Sequence, residues 1–578
     1  MNKSYDNFIE LAMEADIRNA QDLSRLKKRI CKELGVQPPT NADMREHYEK
    51  MLARKTIRRS PAFEKILLSK KIRTESGVAV VAVLTKSYPC PGKCIYCPTE
   101  KDMPKSYLSN EPAVMRAISA KFNPYKQVQN RLRALEINGH PIDKIELIVM
   151  GGTFSYLPKV YQKKFITECF RACNDYASRK GSTLTRRKTP YGSNLDQEQK
   201  RNERAGCRIV GLTLETRPDY IDAPEILNFR NLGCTRVELG VQSVFNDVLK
   251  INKRGHDIQK TIEATKLLKD AGFKINYHIM PGMYGSTPEK DIAMFQELFS
   301  NPAFQPDMLK IYPTVIVKNC ALYKIWKNRQ NKQRQENKTA HNNTAASLCA
   351  EGNYQPLTDT QFKKMILKIK NEIIPPYVRI ARLVRDVPTS SIIAGPTVSN
   401  LRQIIEKESR CQCIRCREVK SSYTIGEKII LDRIDYPASD GREIFLQYVS
   451  EDKRKLFALL RLRIPSGNNR DHLIPALRDA ALIREVHTYG KLAGINKKEA
   501  GSPQHIGLGR KLMSEAERIA KDGFNLKKIA VISGVGVRGY YKKLGYRLKE
   551  SYMVKNLQDK RPIKPSGSIP ASASDCAV

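Results

Sequence analysis

Two groups of three cysteines have the residue type and spacing to hold metal. Cys90, Cys94 and Cys97 stand in SYPCPGKCIYCP as Cys-x3-Cys-x2-Cys, directly after the apolar run GVAVVAVL. Three thiolates from one loop hold three irons of a [4Fe–4S] cluster and leave the fourth iron open. An open iron binds the amino and carboxylate groups of S-adenosylmethionine and passes it an electron. That cleaves it to a 5′-deoxyadenosyl radical, while the protein supplies position and seclusion. The competing reading of this loop is a zinc site short of one ligand. Cys411, Cys413 and Cys416 in CQCIRCRE supply three thiolates on a polar turn, the donor set of a structural zinc that needs one more Cys or His. His487 in VHTYG is one choice for that fourth ligand; a substrate-facing or hydrogen-bonded role is the other.

Further candidates sit where strands are expected to end. Gly151, Gly152 and Thr153 follow IELIVM, and paired glycines let backbone approach a ligand amino group. Glu215 and Arg217 in LETRPD, Glu238 and Gln242 in VELGVQS, and Met280 to Gly282 in HIMPG occupy the positions from which barrel active sites are built. Near the other end, REVHTYG contributes Glu485, Val486 and His487. Gln504, His505, Ile506, Gly507, Leu508, Gly509 and Arg510 then form a glycine-rich turn before an amphipathic helix. Small residues at 507 and 509 expose N–H groups at a helix N-terminus, an arrangement that cradles a pyrophosphate. Tyr540 and Tyr541 in RGYYKKLGYRL, with His487, are the candidate catalytic groups of this half.

The chain that must position them has 578 residues, enough for two or three domains with full apolar cores. Lys+Arg 101 against Asp+Glu 60 gives a formal charge of +41, which favours a polyanionic partner through phosphate neutralisation. Residues 1–74 read as a basic helical segment docking RNA through Arg54, Lys55, Arg58, Arg59, Lys70, Lys71 and Arg73. In 75–325 short apolar runs alternate with amphipathic stretches, the pattern of βα units. Residues 326–418 read as a linker with a polar insertion (327–353) and the second cysteine group, 419–557 as a second α/β domain, and 558–578 as a disordered tail. The basic stretch 178–204 reads as another loop. The N-terminus has no secretory apolar region, and runs such as Val78 to Leu84 are too short to span a bilayer, so no membrane contact and a cytoplasmic location are expected. In a reducing compartment the fourteen cysteines are thiols or metal ligands rather than disulfides.

Several of these segments resemble known families. The three-cysteine loop followed by Gly-Gly resembles the radical-SAM enzymes, and Gln-x-x-Gly-x-Gly with KKIAVISGVG and RGYYKKLGYRL resembles the GCN5-related N-acetyltransferases. Together with EPAVMRAISAKFNPY, KIYPTVI and CIRCRE, from about 70 to 556, the chain resembles the catalytic-subunit family of Elongator. The resemblance implies an α/β architecture: a radical-SAM partial (β/α) barrel, then a GCN5-related acetyltransferase domain, with a zinc-stapled linker. It implies acetyl-CoA as co-substrate and carboxymethylation of the wobble uridine in the tRNA anticodon stem-loop. The acetyl methyl loses hydrogen, its carbon adds to uracil carbon 5, and hydrolysis releases CoA. On that reading Cys90, Cys94 and Cys97 bind the cluster, Gly151 and Gly152 seat S-adenosylmethionine, Gln504, Gly507 and Gly509 hold CoA, and Tyr541 lies near the thioester. The chain would act alone, as a homodimer or with Elongator-type subunits. A rival reading is a protein lysine acetyltransferase whose cluster is structural, and a third is a tRNA-binding scaffold.

Overall fold

Six of the apolar runs become strands β1 (Ala79–Leu84), β2 (Lys144–Met150), β3 (Arg208–Thr216), β4 (Arg236–Gln242), β5 (Lys274–Ile279) and β6 (Met308–Ile311). The computed structural model describes residues 2–67 apart from 16, 18 and 35–38, then 77–178, 192–339, 354–419, 426–466, 471–490 and 507–558. The strands are parallel and lie in sequence order with β1 at one edge, a half-barrel rather than a closed one. Parallel strands are covered on both faces, so they are apolar nearly throughout; β4 is buried at every position except Gln242. The crossover helices begin where the chain offers a cap. Asp222, Asp257 and Thr287 accept from the N–H groups of Glu225, Lys260 and Lys290, each satisfying a donor that the first turn leaves unpaired.

Three sequence expectations are corrected here. The opposite edge of the sheet is a seventh strand, β7 (Arg379–Arg382), which pairs with β6 and lies inside the stretch assigned to the linker, so the barrel extends past 325. Four residues with arginine at both ends carry too little apolar signal to be read as a strand. The polar stretch from 327 is helical as far as Thr339, continuing a helix that starts at Ala321; its Lys, Gln and Arg side chains lose little freedom in a helix. Residues 340–353 lie outside the described residues. Within 178–204, Leu195–Asn202 is a helix with an Asn194/Gln197 capping box, and its buried face carries Glu198, Gln199 and Asn202, so no apolar period betrays it.

The second sheet contains β8 (Ile429–Ala438), β9 (Gly441–Ser450), β10 (Leu456–Ile464), β11 (Ala480–Thr488), β12 (Lys528–Val531), β13 (Arg547–Lys549) and β14 (Tyr552–Asn556). Its order is β13-β14-β12-β11-β10-β9-β8, antiparallel except where β11 runs parallel to β12. One continuous apolar core joins both sheets. The N-terminal helices, Asn2–Glu14, Ala20–Leu34, Asn41–Ala53 and Pro61–Leu67, close a small core of their own around Phe8, Ile30, Met44, Tyr48 and Phe63.

Between the two sheets lies a buried network of charge. Arg484, fully buried, donates to Asp307 (3.0 Å), Glu443 (2.9 Å) and the Phe273 carbonyl (2.6 Å). Arg463 bonds Asp270 (2.6 Å) and Glu443 (3.1 Å), and Arg461 bonds Glu485 (2.9 Å). Asp270, Phe273 and Asp307 come from the half-barrel and the others from the second sheet, so the pairs Arg484–Asp307 and Arg463–Asp270 cross from one domain to the other.

Candidate functional site

The loop after β1 carries Cys90, Cys94 and Cys97 over the C-terminal ends of the parallel strands, where open α/β sheets bind ligands. Among the described residues these thiols do not form a group within 4.8 Å of one another, whereas Cys411, Cys413 and Cys416 do. A multi-iron cluster spreads its thiolates wider than a single tetrahedral ion does, so the two groups differ in the way their expected metals differ. Two buried guanidiniums, absent from the sequence reading in this role, press on the first loop. Arg254 Nη1 lies 3.6 Å from Cys94 Sγ. Arg217 donates to the Arg254 carbonyl (3.0 Å) and pairs with Asp219 (2.7 Å), and it packs against Gly92 so closely that a Cβ there would meet Nη1 at 2.3 Å. Burial raises the Cys94 thiol, but Arg254 outweighs it and the group falls below its usual value. Cys97, buried beside the other two sulfurs, is pushed up to about 12. Cations set beside three thiols suit the negative charge of a thiolate-held cluster.

Beside this loop, Gly151 and Gly152 adopt φ of 136° and 94°, and a Cβ at Gly151 would lie 2.0 Å from Thr85 Oγ1, so only glycine fits that turn. Thr153 follows and caps the short helix Phe154–Tyr156 with its carbonyl. Gln242 holds a left-handed φ of 72° at the end of β4. Its Oε1, Thr85 Oγ1 and Asn276 Oδ1 are buried without a protein partner, as acceptors awaiting a polar ligand are. Tyr107 donates to Glu215 (2.6 Å), and His278 Nε2 lies 3.0 Å from Glu238, which Lys310 also contacts. Burial alone would raise Glu238; Lys310 and His278 hold it well below the usual carboxylate range. Arg254, Tyr107, His278 and Lys310 were not legible as site residues. His278 and Lys310 face the lumen of their strands, and only the closed arc of β4, β5 and β6 brings them onto Glu238.

In the second domain β11 pairs with β12 only from Ala480 to Ile483, while β10 accompanies β11 as far as Thr488. Glu485, Val486 and His487 therefore present one unpaired backbone edge. Gly507, at φ 77°, starts the helix Leu508–Arg518 without a side-chain cap, leaving its first N–H groups open to a ligand. Leu508 is buried beneath that turn and Arg510 is exposed. A Cβ at Gly509 would stand 3.4 Å from Tyr540 Oη, so Tyr540 reaches the turn; Tyr541 sits behind it, 7 % exposed, rings 5.2 Å apart, and burial raises its phenol. Gln504, His505 and Ile506 lie outside the described residues, as do Lys70, Lys71 and Arg73. Of the remaining basic docking candidates, Arg54 faces Asp6 at 3.7 Å, Arg59 pairs with Glu64 (2.9 Å), and Lys55 and Arg58 are exposed.

The sulfurs of Cys411, Cys413 and Cys416 lie together between the domains, and hydrogen bonds from the other two thiols drive Cys413 toward the thiolate, a donor set that fits zinc. His487 is not among the ligand atoms that converge there; its Nε2 is buried without a protein partner instead, and Lys370 Nζ approaches Cys416 at 3.6 Å. Both halves open into one cavity of about 2150 Å³. Tyr96, Glu215, Gln242 and Met280 line its barrel side, and Glu485, His487, Gly507, Gly509, Tyr540 and Tyr541 its other side, with Cys411 and Cys416 between. A single small-molecule site occupies roughly 300–1,000 Å³, so this space accommodates more than one ligand. Lysines and arginines outnumber acids about two to one along its walls. No helix among the described residues is long and apolar enough to cross a membrane.

Residues 85–298 match the model of the Radical SAM superfamily, and 342–410 that of the Radical_SAM C-terminal domain. The chain is 44% identical over 511 residues to a tRNA uridine(34) acetyltransferase of Methanocaldococcus infernus, covering 85% of this chain and 88% of that protein. It is 36% identical over 522 residues to Elongator complex protein 3 of Homo sapiens, covering 86% and 88%. A structure of the archaeal M. infernus Elp3, with an N-terminal deletion of residues 1–46, superposes with a TM-score of 0.66 at 40% identity, over 83% of this chain and 99% of that one.

Proposed function

We propose that this chain, which belongs to the family of the tRNA uridine(34) acetyltransferases and Elongator complex protein 3, modifies the wobble uridine of tRNA, forming 5-carboxymethyluridine from acetyl-CoA. The observation that carries the proposal is the single basic cavity bounded on one side by the strand ends near the three-thiol loop and on the other by the open edge of β11. A reaction that joins a two-carbon unit to a base through radical chemistry needs both reactants within contact of one another and away from water.

When bound, a [4Fe–4S] cluster and S-adenosylmethionine supply a carbon radical that takes a hydrogen atom from the acetyl methyl group. This chain's residues do the rest by position. Cys90, Cys94 and Cys97 would hold the cluster, with Arg254 and Arg217 balancing its charge; Gly151, Gly152, Thr153, Glu215 and Gln242 would seat S-adenosylmethionine. The unpaired backbone of Glu485, Val486 and His487 would bond the pantetheine amides, and the N–H groups after Gly507 the pyrophosphate. Burial keeps His487 below its ordinary value, hence neutral at pH 7, able to hold or accept a proton at Nε2 as the thioester is hydrolysed. Tyr541 and Tyr540 keep their protons at that pH, so each is a hydrogen-bond donor beside the acyl group. Cys411, Cys413 and Cys416 would hold zinc and fix the angle between the two halves.

The test is anaerobic reconstitution with iron and sulfide, then incubation with tRNA, S-adenosylmethionine and acetyl-CoA, followed by nucleoside analysis. The expected results are 5-carboxymethyluridine in the tRNA, 5′-deoxyadenosine only when tRNA and acetyl-CoA are both present, and loss of both in Cys94→Ala. Acetyl transfer to a protein lysine that survives Cys94→Ala, with no nucleoside product from the wild type, would favour the lysine acetyltransferase instead.

A further inference from the structure

The cluster loop has a second side. Cys90 does not line the large cavity; it lines a shallow pocket of about 340 Å³ at the surface, together with Tyr88, Pro89, Thr99, Met103 and Lys105. Next to it three tyrosines form a chain of edge-on rings: Tyr88 to Tyr156 at 6.2 Å and Tyr156 to Tyr220 at 5.7 Å. Tyr88 and Tyr156 are 37% and 42% exposed, unusual for rings in so ordered an arrangement. None of the three rings lines the large cavity.

The charge around these rings is positive. Lys86 and Lys93 are exposed on either side of Cys90, and Lys105 stands over the pocket. Of the acids nearby, Glu100 accepts from Ser109 (2.8 Å), Asp219 from Arg217 (2.7 Å) and Glu225 from Lys159, while Asp102 is exposed. A cluster of the proposed kind must hold one electron before it cleaves S-adenosylmethionine. The uracil adduct gives up one electron after the carbon radical adds, so the electron from outside the chain is the one that charges the cluster at the start or after a loss. We infer that the face built from Tyr88, Tyr156 and Tyr220 with Lys86, Lys93 and Lys105 docks an acidic one-electron redox protein, which reduces the cluster through the Cys90 side of its loop. This rests on the cluster-binding reading above. One electron leaves the donor's reduced flavin or iron–sulfur centre and one enters the cluster; no bond is made or broken and no proton moves. Small contacts with rigid aromatic rings and a charged rim suit a transient encounter.

The test uses the full-length reconstituted protein and stopped-flow bleaching of the cluster's visible absorbance. The reductants are a reduced acidic flavodoxin and, separately, the small uncharged radical of illuminated 5-deazariboflavin. At low salt, the double variant Lys86→Glu/Lys93→Glu should slow reduction by flavodoxin about tenfold, with the difference vanishing at high ionic strength. Tyr156→Ser should slow it at all salt concentrations, and 5-deazariboflavin should reduce every variant at the wild-type rate, which also reports that the cluster is intact. Equal rates with flavodoxin for wild type and variants would overturn the proposal, as would equal losses with both reductants. Weakened binding of an anticodon stem-loop with an unchanged flavodoxin rate would assign the face to RNA and likewise overturn it. If the wild-type protein takes up no iron, it is the cluster-binding reading that has failed, and iron analysis records this before any donor is added.

Discussion

Replacing Arg484 with methionine removes one cation from the buried layer between the two domains, at the edge of the large cavity. In the native protein its guanidinium serves Asp307, Glu443 and the Phe273 carbonyl, all buried. Arg484→Met leaves two carboxylates with fewer partners and a carbonyl without its donor, and breaking a buried pair from one side costs about 3–5 kcal/mol. Lys269, also fully buried, offsets part of this. Burial and the neighbouring Arg484 and Arg463 lower its ammonium to about 8 against the pull of Asp307 and Glu443, and it will bind its proton more firmly once Arg484 is gone. We therefore expect the lower end of that range and a melting temperature about 3 °C below wild type by calorimetry. The pH dependence separates this cause from lost packing. Asp307 and Glu443 are held below their unfolded pKa values, so in the wild type their contribution is complete above about pH 4 and fades as pH falls through the folded values. In the variant Glu443 keeps Arg463 and Asp307 keeps Lys269 and the Ile275 N–H, so both carboxylates move up toward their unfolded values. The penalty is then full at pH 7 and shrinks only as pH falls below about 4. A loss under about 1 kcal/mol at pH 7, or one that persists undiminished to about pH 3, refutes the account.

Gly151→Ala places a Cβ 2.0 Å from Thr85 Oγ1 at φ 136°. Backbone strain of about 1–3 kcal/mol should weaken S-adenosylmethionine roughly tenfold or more in equilibrium dialysis while iron content is unchanged; wild-type affinity would show that the turn does not seat the ligand. Cys413→Ser should reduce zinc from about one ion per chain to a small fraction by elemental analysis and lower the melting temperature. A wild-type protein purified without zinc would end that assignment. Lys55→Glu with Arg58→Glu should weaken tRNA binding and lower the slope of log affinity against log salt by about two. An unchanged slope would remove the N-terminal helices from the RNA interface.

The sequence alone determined the parts whose signal is local. The Cys-x3-Cys-x2-Cys loop, the Gly-Gly turn, the Gly507 turn and six parallel strands were all legible, because each depends on neighbours within a few residues or on a run of buried apolar side chains. What it left hidden depends on distance in the chain. Strand β7 is short and ends in arginines; it is a strand because β6 offers an edge. The helix Leu195–Asn202 buries polar side chains that only its surroundings satisfy. Arg254 joins Cys94 from 160 residues away, and Glu238 gathers His278 and Lys310 from separate strands. His487 could be read as a ligand of the second cysteine group until the fold turned β11 so that its ring lies apart from the three sulfurs. Above all, the two sets of motifs lie hundreds of residues apart, and only the packing of one sheet on the other, across ion pairs such as Arg484–Asp307 and Arg463–Asp270, puts the strand ends beside the cysteine loop and the Gly507 turn on the walls of one cavity.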